Sequence, residues 1–388
     1  MDKTLSRPPG STVQRKLGTR DISDAVSANK IRRVLIIAPQ LLGDAVVSTV
    51  LLTALRNIAP HCTIDVLVQR SLSDIFAHNP AVAVVHPIEK DWRKQGVLRT
   101  LRPRAALIRA LRRNRYDLLI QSPHSTDGSW GPVLIWLLRI PYAVGAAAGV
   151  HGSPLKRFLW RRAFSHSLGE PQPDQPPRHV AEVHLDLLRR VGLPPPLGSR
   201  GTSLIPDPAA GPRVAALLAH LKIPHKRFVL FAPTAGNTGR TLSFDLCSQF
   251  IARCVNDGRC VVLTAGPTDR ERSFIGSLFY NQGDLVHKLS TDLTITELTA
   301  LAAAAEVFVG TDSGTMHIAA AMGTPVVACF GPGDEGRFGP WQTAQRLVTS
   351  PRACRPCDQN GCGNSGRADC LDDLSADSLM QALNTLLA

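Results

Sequence analysis

No run of apolar residues in this 388-residue chain reaches the roughly 20 that a helix needs to span a bilayer; the longest, such as VVSTVLLTAL at 46–55, fall well short. A transmembrane helix is therefore not expected. Residues 1–30 are polar, carry Pro and Gly and lack an apolar h-region, so they read as a mobile tail rather than a secretory signal, and a cytoplasmic location is expected. Two nucleotide fingerprints are also missing. The first strand runs into PQLLGDAV instead of G-x-G-x-x-G, and G-x-x-x-x-G-K-[ST] occurs nowhere, which argues against a nicotinamide dehydrogenase and a P-loop NTPase. Repeats of short period and low-complexity tracts are absent. Acid is scarce where base is dense: from Asp91 to Arg115 one carboxylate faces Arg93, Lys94, Arg99, Arg102, Arg104, Arg109, Arg112, Arg113 and Arg115.

With 44% hydrophobic and 19% charged residues, the chain can bury two cores, so two domains are expected. The net charge of +13 is concentrated early, in the arginine run and in KRFLWRRAF at 156–164. Such clusters predict an anionic partner, for which nucleic acid, an anionic lipid surface and a phosphorylated acceptor all fit. Each arginine taken singly reads equally as part of a solvated helix face.

Short β-branched runs alternate with longer amphipathic stretches. RRVLIIAP (32–39) precedes a helical stretch from about Asp44 to Asn57, and TIDVLVQ, AVAVVHPI, DLLIQSP and YAVGA repeat the theme. This is the pattern of βαβ units around a parallel sheet. The Pro- and Gly-rich stretch 193–212 lacks periodicity and reads as a linker, after which RFVLFAPTA, CVVLTAG, VFVGTD and PVVACFG restart the alternation. The expected organisation is a tail (1–30), a first α/β domain (31–192), the linker (193–212) and a second α/β domain (213–388). Two such doubly wound domains bind a ligand at the carboxyl ends of their strands.

A strand ending at Asp312 with a helix opening at Ser313 or Gly314 offers free N–H groups, a hydroxyl and close backbone approach, all suited to phosphate. His317 falls on the first turn of that helix, as a functional group or a satisfied structural histidine. After the first strand, Asp44 could act as a general base or as a helix N-cap.

Three segments, RVLIIAPQLLGDAVVSTVLLTALR, DSGTMHIAAAMGTPVVACFGP and CRPCDQNGCGNSGRADCL, together resemble glycosyltransferase family 9, the ADP-heptose:lipopolysaccharide heptosyltransferases, over about residues 32–388. The resemblance implies a GT-B fold, an acceptor on the first domain, a nucleotide sugar on the second, and inverting transfer without a catalytic metal. It implies Asp44 as catalytic base, and Asp312, Ser313, Gly314 and His317 as the diphosphate site. Arg240 stands where the family commonly has lysine, and Leu242-Ser243 replaces its Trp-Pro, which leaves the donor's identity open. Arg240 keeps a phosphate-binding fork. Thr234 and Thr238 are candidate hydroxyl contacts to the donor, and either Asp269 or Glu271 in AGPTDRER is a candidate ribose acceptor. Acceptor contacts are expected from Gly43 and from the basic first domain, including Arg112, Arg113, Arg161 and Arg162. The implied acceptor is a lipopolysaccharide core or similar anionic glycoconjugate at the inner face of the membrane, with peripheral membrane contact.

Cys62, Cys247, Cys254, Cys260 and Cys329 lie in apolar stretches and read as packing residues. Cys354, Cys357, Cys362 and Cys370, spaced C-x2-C-x4-C-x7-C, read as a structural Zn or Fe site or as free thiols. Rival functions are a catalytically inactive or epimerase-type sugar-nucleotide protein and a zinc-finger nucleic-acid binder. The latter is disfavoured because the cysteine segment lacks a basic helix of its own, so no nucleic-acid partner is expected.

Overall fold

Strand β1 (Arg33–Ile37) has the composition of a central parallel strand, RVLII, with its last four residues buried. Around it the computed structural model, which describes residues 30–89, 97–123, 130–146, 162–168, 177–280, 283–289 and 293–388, builds a six-stranded sheet in the order β3-β2-β1-β4-β5-β6. The partners are β2 (Thr63–Gln69), β3 (Val82–Ile88), β4 (Leu118–Gln121), β5 (Tyr142–Ala146) and β6 (His166–Leu168), and all pairings are parallel. A second six-stranded sheet comprises β7 (Phe228–Ala232), β8 (Cys260–Leu263), β9 (Val286–Lys288), β10 (Val307–Thr311), β11 (Val326–Phe330) and β12 (Gln345–Thr349). Its order, β9-β8-β7-β10-β11-β12, repeats that of the first sheet. In each, the chain leaves the two central strands, β1 and β4 or β7 and β10, in opposite directions. That reversal opens a crevice at the carboxyl edge.

Among the described residues, helices longer than one turn are numbered in chain order. In the first half they are α1 (Leu42–Ser48), α2 (Val50–Ile58), α3 (Val97–Asn114), α4 (Trp130–Leu138) and α5 (Val180–Arg190). In the second they are α6 (Ala210–His220), α7 (Phe244–Asn256), α8 (Asp269–Phe279), α9 (Ile295–Ala304), α10 (Gly314–Ala321) and α11 (Ala376–Leu387). The single helix expected from Asp44 to Asn57 is divided at Thr49. There the Ser48 and Thr49 hydroxyls donate back to the Ala45 and Val46 carbonyls, at 2.8 and 2.6 Å, and compete with the helical bonds. The apolar period runs through the break, so periodicity alone does not reveal it.

The stretch 193–209 crosses between the sheets without regular structure beyond a 3-10 turn at Leu197–Ser199, and it is tied to the first half. The Ser203 N–H donates to Thr49 Oγ1 at 2.9 Å, and Asn79 Nδ2 donates to the Ser203 carbonyl at 2.7 Å. At the far end α11 buries Leu379 and Leu383 in the second core, against α7 and β12. Cys247, Cys254, Cys260 and Cys329 are buried in the second half and Cys62 in the first. No helix among the described residues is long and apolar enough to cross a membrane.

Candidate functional site

The amino ends of α1 and α10, one from each half, abut. A Cβ on Gly43 would lie 2.6 Å from Cδ2 of His317, and one on Gly314 would lie 2.6 Å from Cδ2 of Leu42. Glycine is required at both positions because a side chain would wedge the halves apart. Gly43→Ala is expected to cost about 1–3 kcal/mol of stability through overpacking. It should also lower turnover by about 10²-fold through misplacement of the facing groups. Thermal melts and kcat on the same preparation check this; a wild-type rate would show that the contact is not needed.

Asp44 lies in the first turn of α1, partly exposed. The cap position is Leu41, without a side-chain cap bond, so Asp44 is not the N-cap of this helix. Burial, and after it the carboxylate of Asp312, raises its pKa from 3.8 to about 6, against the pull of Arg240 and Arg337. Across the junction, β10 delivers Asp312, which is 4% exposed. Burial raises its pKa to about 6 as well, with Arg240 opposing and Asp358 reinforcing the rise. Arg240 Nη1 lies 2.7 Å from Asp312 Oδ2, an ion pair without the alignment of a hydrogen bond. Arg240 closes a single 3-10 turn (Thr238–Arg240) after β7, and the Thr311 hydroxyl donates to its carbonyl.

Ser313 caps α10 in extended conformation with its hydroxyl making no cap bond. Its Oγ, Thr234 Oγ1 at the end of β7 and His317 Nδ1 are buried atoms without a protein partner. Such atoms are costly to leave unpaired, and here they cluster at the crevice of the second sheet beside the first N–H groups of α10. Burial holds the pKa of His317 down at about 3, helped by His179 and Arg240. Its imidazole is therefore neutral, able to give or take a hydrogen bond but not to pair as a cation.

Of the two candidates in AGPTDRER, Asp269 points to solvent and pairs with Arg272 at 2.8 Å. Glu271 is 2% exposed and forms a capping box with Thr268, whose hydroxyl donates to its Oε2 at 2.6 Å. Its carboxylate presses on Gly266, the glycine after β8, where a Cβ would lie 2.4 Å from Oε1. The Thr238 hydroxyl donates to Asn360 Oδ1 at 3.3 Å.

Arg112 and Arg113 sit in the last turn of α3, which leads into the amino end of β4. Helices antiparallel to the strands end at the edge opposite the crevice, so both residues are remote from Asp44. Arg112 is also engaged, donating to the Leu137 carbonyl at 3.0 and 3.1 Å. Arg162 is exposed ahead of β6, whereas Arg161, Arg93, Lys94 and most of 156–164 lie outside the described residues, as do residues 1–29 of the expected tail.

Cys354 and Cys362 are exposed, Cys357 is intermediate and Cys370 is buried in the second core, where burial first, and after it the nearby Cys362 and Cys354, push its thiol pKa up. No group of three or more His, Cys, Asp or Glu among the described residues could hold a metal ion, so these side chains do not fit the expected Zn or Fe site. Their loop is held by other bonds: the Cys357 and Asp358 N–H groups donate to the Pro332 carbonyl, and Cys362 N–H to the Arg367 carbonyl at 2.7 Å.

Sequence reasoning missed three groups near the site. Arg337, on the single-turn helix Glu335–Phe338, lowers the pKa of Asp44 and pairs with Asp358 at 3.2 Å. His179 stacks on Trp341 at 4.4 Å, and its Nε2 donates to the Gly339 carbonyl at 2.9 Å. These contacts join the chain before α5 to the loop after Arg337. The only local signal is the turn-rich GPGDEGRFGPW, which marks a loop without naming its partners.

Residues 205–367 match the family model described as glycosyltransferase family 9 (heptosyltransferase). Lipopolysaccharide heptosyltransferase 3 of Escherichia coli is 28% identical over 77% of this chain and 83% of its own length. Lipopolysaccharide heptosyltransferase 2 of E. coli K12 is 23% identical over 92% of this chain and 98% of its own. Among solved structures, E. coli heptosyltransferase WaaC with ADP superposes with a TM-score of 0.69 at 21% identity, over 91% of this chain and 99% of that one. The two facing parallel sheets are thus those of the GT-B fold.

Proposed function

The chain belongs to glycosyltransferase family 9, and from this premise we propose that it transfers a heptose, with inversion, from ADP-heptose to a lipopolysaccharide core at the inner face of the cytoplasmic membrane. That it is a glycosyltransferase follows from the family; donor and acceptor are our reading. The observation that carries it is the meeting of Asp44 with the Arg240–Asp312 pair where α1 and α10 abut.

In this reading an acceptor hydroxyl attacks the anomeric carbon and yields its proton to Asp44. The bond from that carbon to the diphosphate oxygen breaks, and its electron pair leaves with ADP. A carboxylate held at about 6 is ionised at neutral pH yet basic enough to take the proton as the new bond forms. The negative charge growing on the diphosphate is met by the Arg240 guanidinium and by the N–H groups and the hydroxyl at Ser313 and Gly314. Thr234 and neutral His317 supply hydrogen bonds to the donor, and Glu271, the buried carboxylate of its pair, accepts from the ribose. Asp269 has no role. Most of the rate comes from holding two substrates in line across the crevice.

Offering ADP-heptose, UDP-sugars and GDP-sugars with a deacylated lipopolysaccharide core, and following acceptor mass, tests the reading. A heptose-sized gain from ADP-heptose alone is expected. A gain from another donor would overturn the donor assignment, and no gain from any would overturn the acceptor assignment.

A further inference from the structure

The cysteine-rich loop, which does not gather a metal site, is applied directly to the turn that carries Arg240. Asn360 Oδ1 accepts two hydrogen bonds from that turn: from the Gly239 N–H at 3.0 Å and from the Thr238 hydroxyl at 3.3 Å. The backbones touch as well. A Cβ on Gly239 would fall 2.2 Å from the Gly361 nitrogen, and one on Gly366 would fall 2.7 Å from Thr238 Oγ1. The loop is braced on its other side. The Gly366 N–H returns to the Asn360 carbonyl at 2.8 Å, the Asn360 N–H donates to Asn364 Oδ1 at 3.1 Å, and the Cys357 and Asp358 N–H groups both reach the Pro332 carbonyl. Arg355 donates to the Gly331 carbonyl at 2.7 Å and the Ser350 carbonyl at 2.9 Å. The turn is capped locally, since the Gly239 N–H is shared with Asn237 Oδ1 at 2.9 Å. Asn360 adds a second acceptor from some 120 residues downstream, and it is the one that also holds the Thr238 hydroxyl.

We propose that Asn360 is a positioning residue for donor binding: its side-chain oxygen fixes the Thr238–Arg240 turn, so that the loop 357–367 forms an outer wall of the diphosphate site. The proposal rests on the reading of Arg240 as a diphosphate ligand. Asn360 itself touches no substrate. Its effect passes through the peptide of Gly239 to the adjacent Arg240, whose guanidinium can be held toward a diphosphate only while the turn keeps its shape. The glycines at 239 and 366 serve the same contact, since a side chain at either would lift the loop away, while Gly361 lets the loop close on its own Arg367 backbone.

ADP is the probe, titrated calorimetrically into the full-length wild type, Asn360→Ala and Arg240→Ala, with donor KM, kcat and melting temperature measured alongside. Asn360→Ala is expected to weaken ADP binding and raise donor KM by about tenfold, as the loss of two hydrogen bonds to the turn implies, with kcat within about threefold and acceptor KM unchanged. A merely structural asparagine would lower the melting temperature and the active fraction and leave the ADP affinity of the folded protein where it was. If Arg240→Ala loses ADP while Asn360→Ala binds it within twofold of wild type, the inference about Asn360 is overturned and the donor reading stands. If neither change weakens ADP, the donor reading falls and takes the inference with it. Asn360→Ser, too short to bridge both donors but still polar, gives the same readout should the alanine variant not fold.

Discussion

Replacing Asp44 with asparagine is expected to lower kcat by about 10²–10⁴-fold, the usual worth of a positioned general base, and at the same time to raise the melting temperature near pH 8. The second effect follows from the direction of the pKa shift. Asp44 titrates near 6 in the folded chain and at 3.8 ordinarily, so between those values the folded state holds a proton that the unfolded state has released. The favourable contribution of the protonated carboxyl is complete below about pH 4 and lost as pH rises through 6. Above that, the folded chain carries an ionised group that burial and Asp312 disfavour. Asparagine has no charge to bury, so the variant gains stability at pH 8 and gains less at pH 5. Wild-type kcat/KM should fall off on the acid side of about pH 6, because the protonated carboxyl cannot accept. Melting curves at the two pH values and a pH–rate profile decide the matter. A variant that keeps its rate, or that is destabilised at pH 8, would show that Asp44 is a packing residue.

Removing the guanidinium of Arg240 is the other large effect. Arg240→Ala should cost about 10²–10³ in kcat/KM, the scale for losing a preorganised group that meets charge in the transition state. It should also move the acid limb upward, since Arg240 is one of the groups that pulls the pKa of Asp44 down, and Asp312 loses its partner in the same step. Arg240→Lys keeps the charge but not the planar fork, so it should recover part of the rate and return the acid limb toward the wild-type position. Both variants are read from one set of pH–rate profiles. An acid limb that stays in place in Arg240→Ala would disconnect the two groups, whatever the loss of rate.

The sequence makes the middle of each sheet legible and leaves its rim obscure. Central strands such as VLII in β1 and FVLFA in β7 are buried on both faces and stand out as unbroken apolar runs. At the edge β12, QRLVT, only Val348 is buried, and no pattern separates it from a loop. Asp44, Arg240, Asp312, Ser313 and His317 are readable because each lies in a local motif at the end of a strand. Arg337, His179 and Asn360 are not, because each matters through a partner far away in the chain. The late cysteines show a third limit. Their spacing is readable, but spacing does not determine how deeply each thiol is buried: Cys370 lies in the second core while Cys354 and Cys362 are exposed, and among the described residues no three such groups are arranged to hold a metal.

One apolar cluster runs without interruption from Val34 and Val46 in the first half to Phe308, Met316 and Ile318 in the second. The two sheets are therefore not beads on a string. Heat should undo them in a single cooperative step, with calorimetric and van't Hoff enthalpies in agreement, instead of melting one half ahead of the other. It also means that the crevice cannot gape without exposing oil to water. Any wider opening to admit a bulky acceptor would have to part that apolar seam, at a cost in free energy.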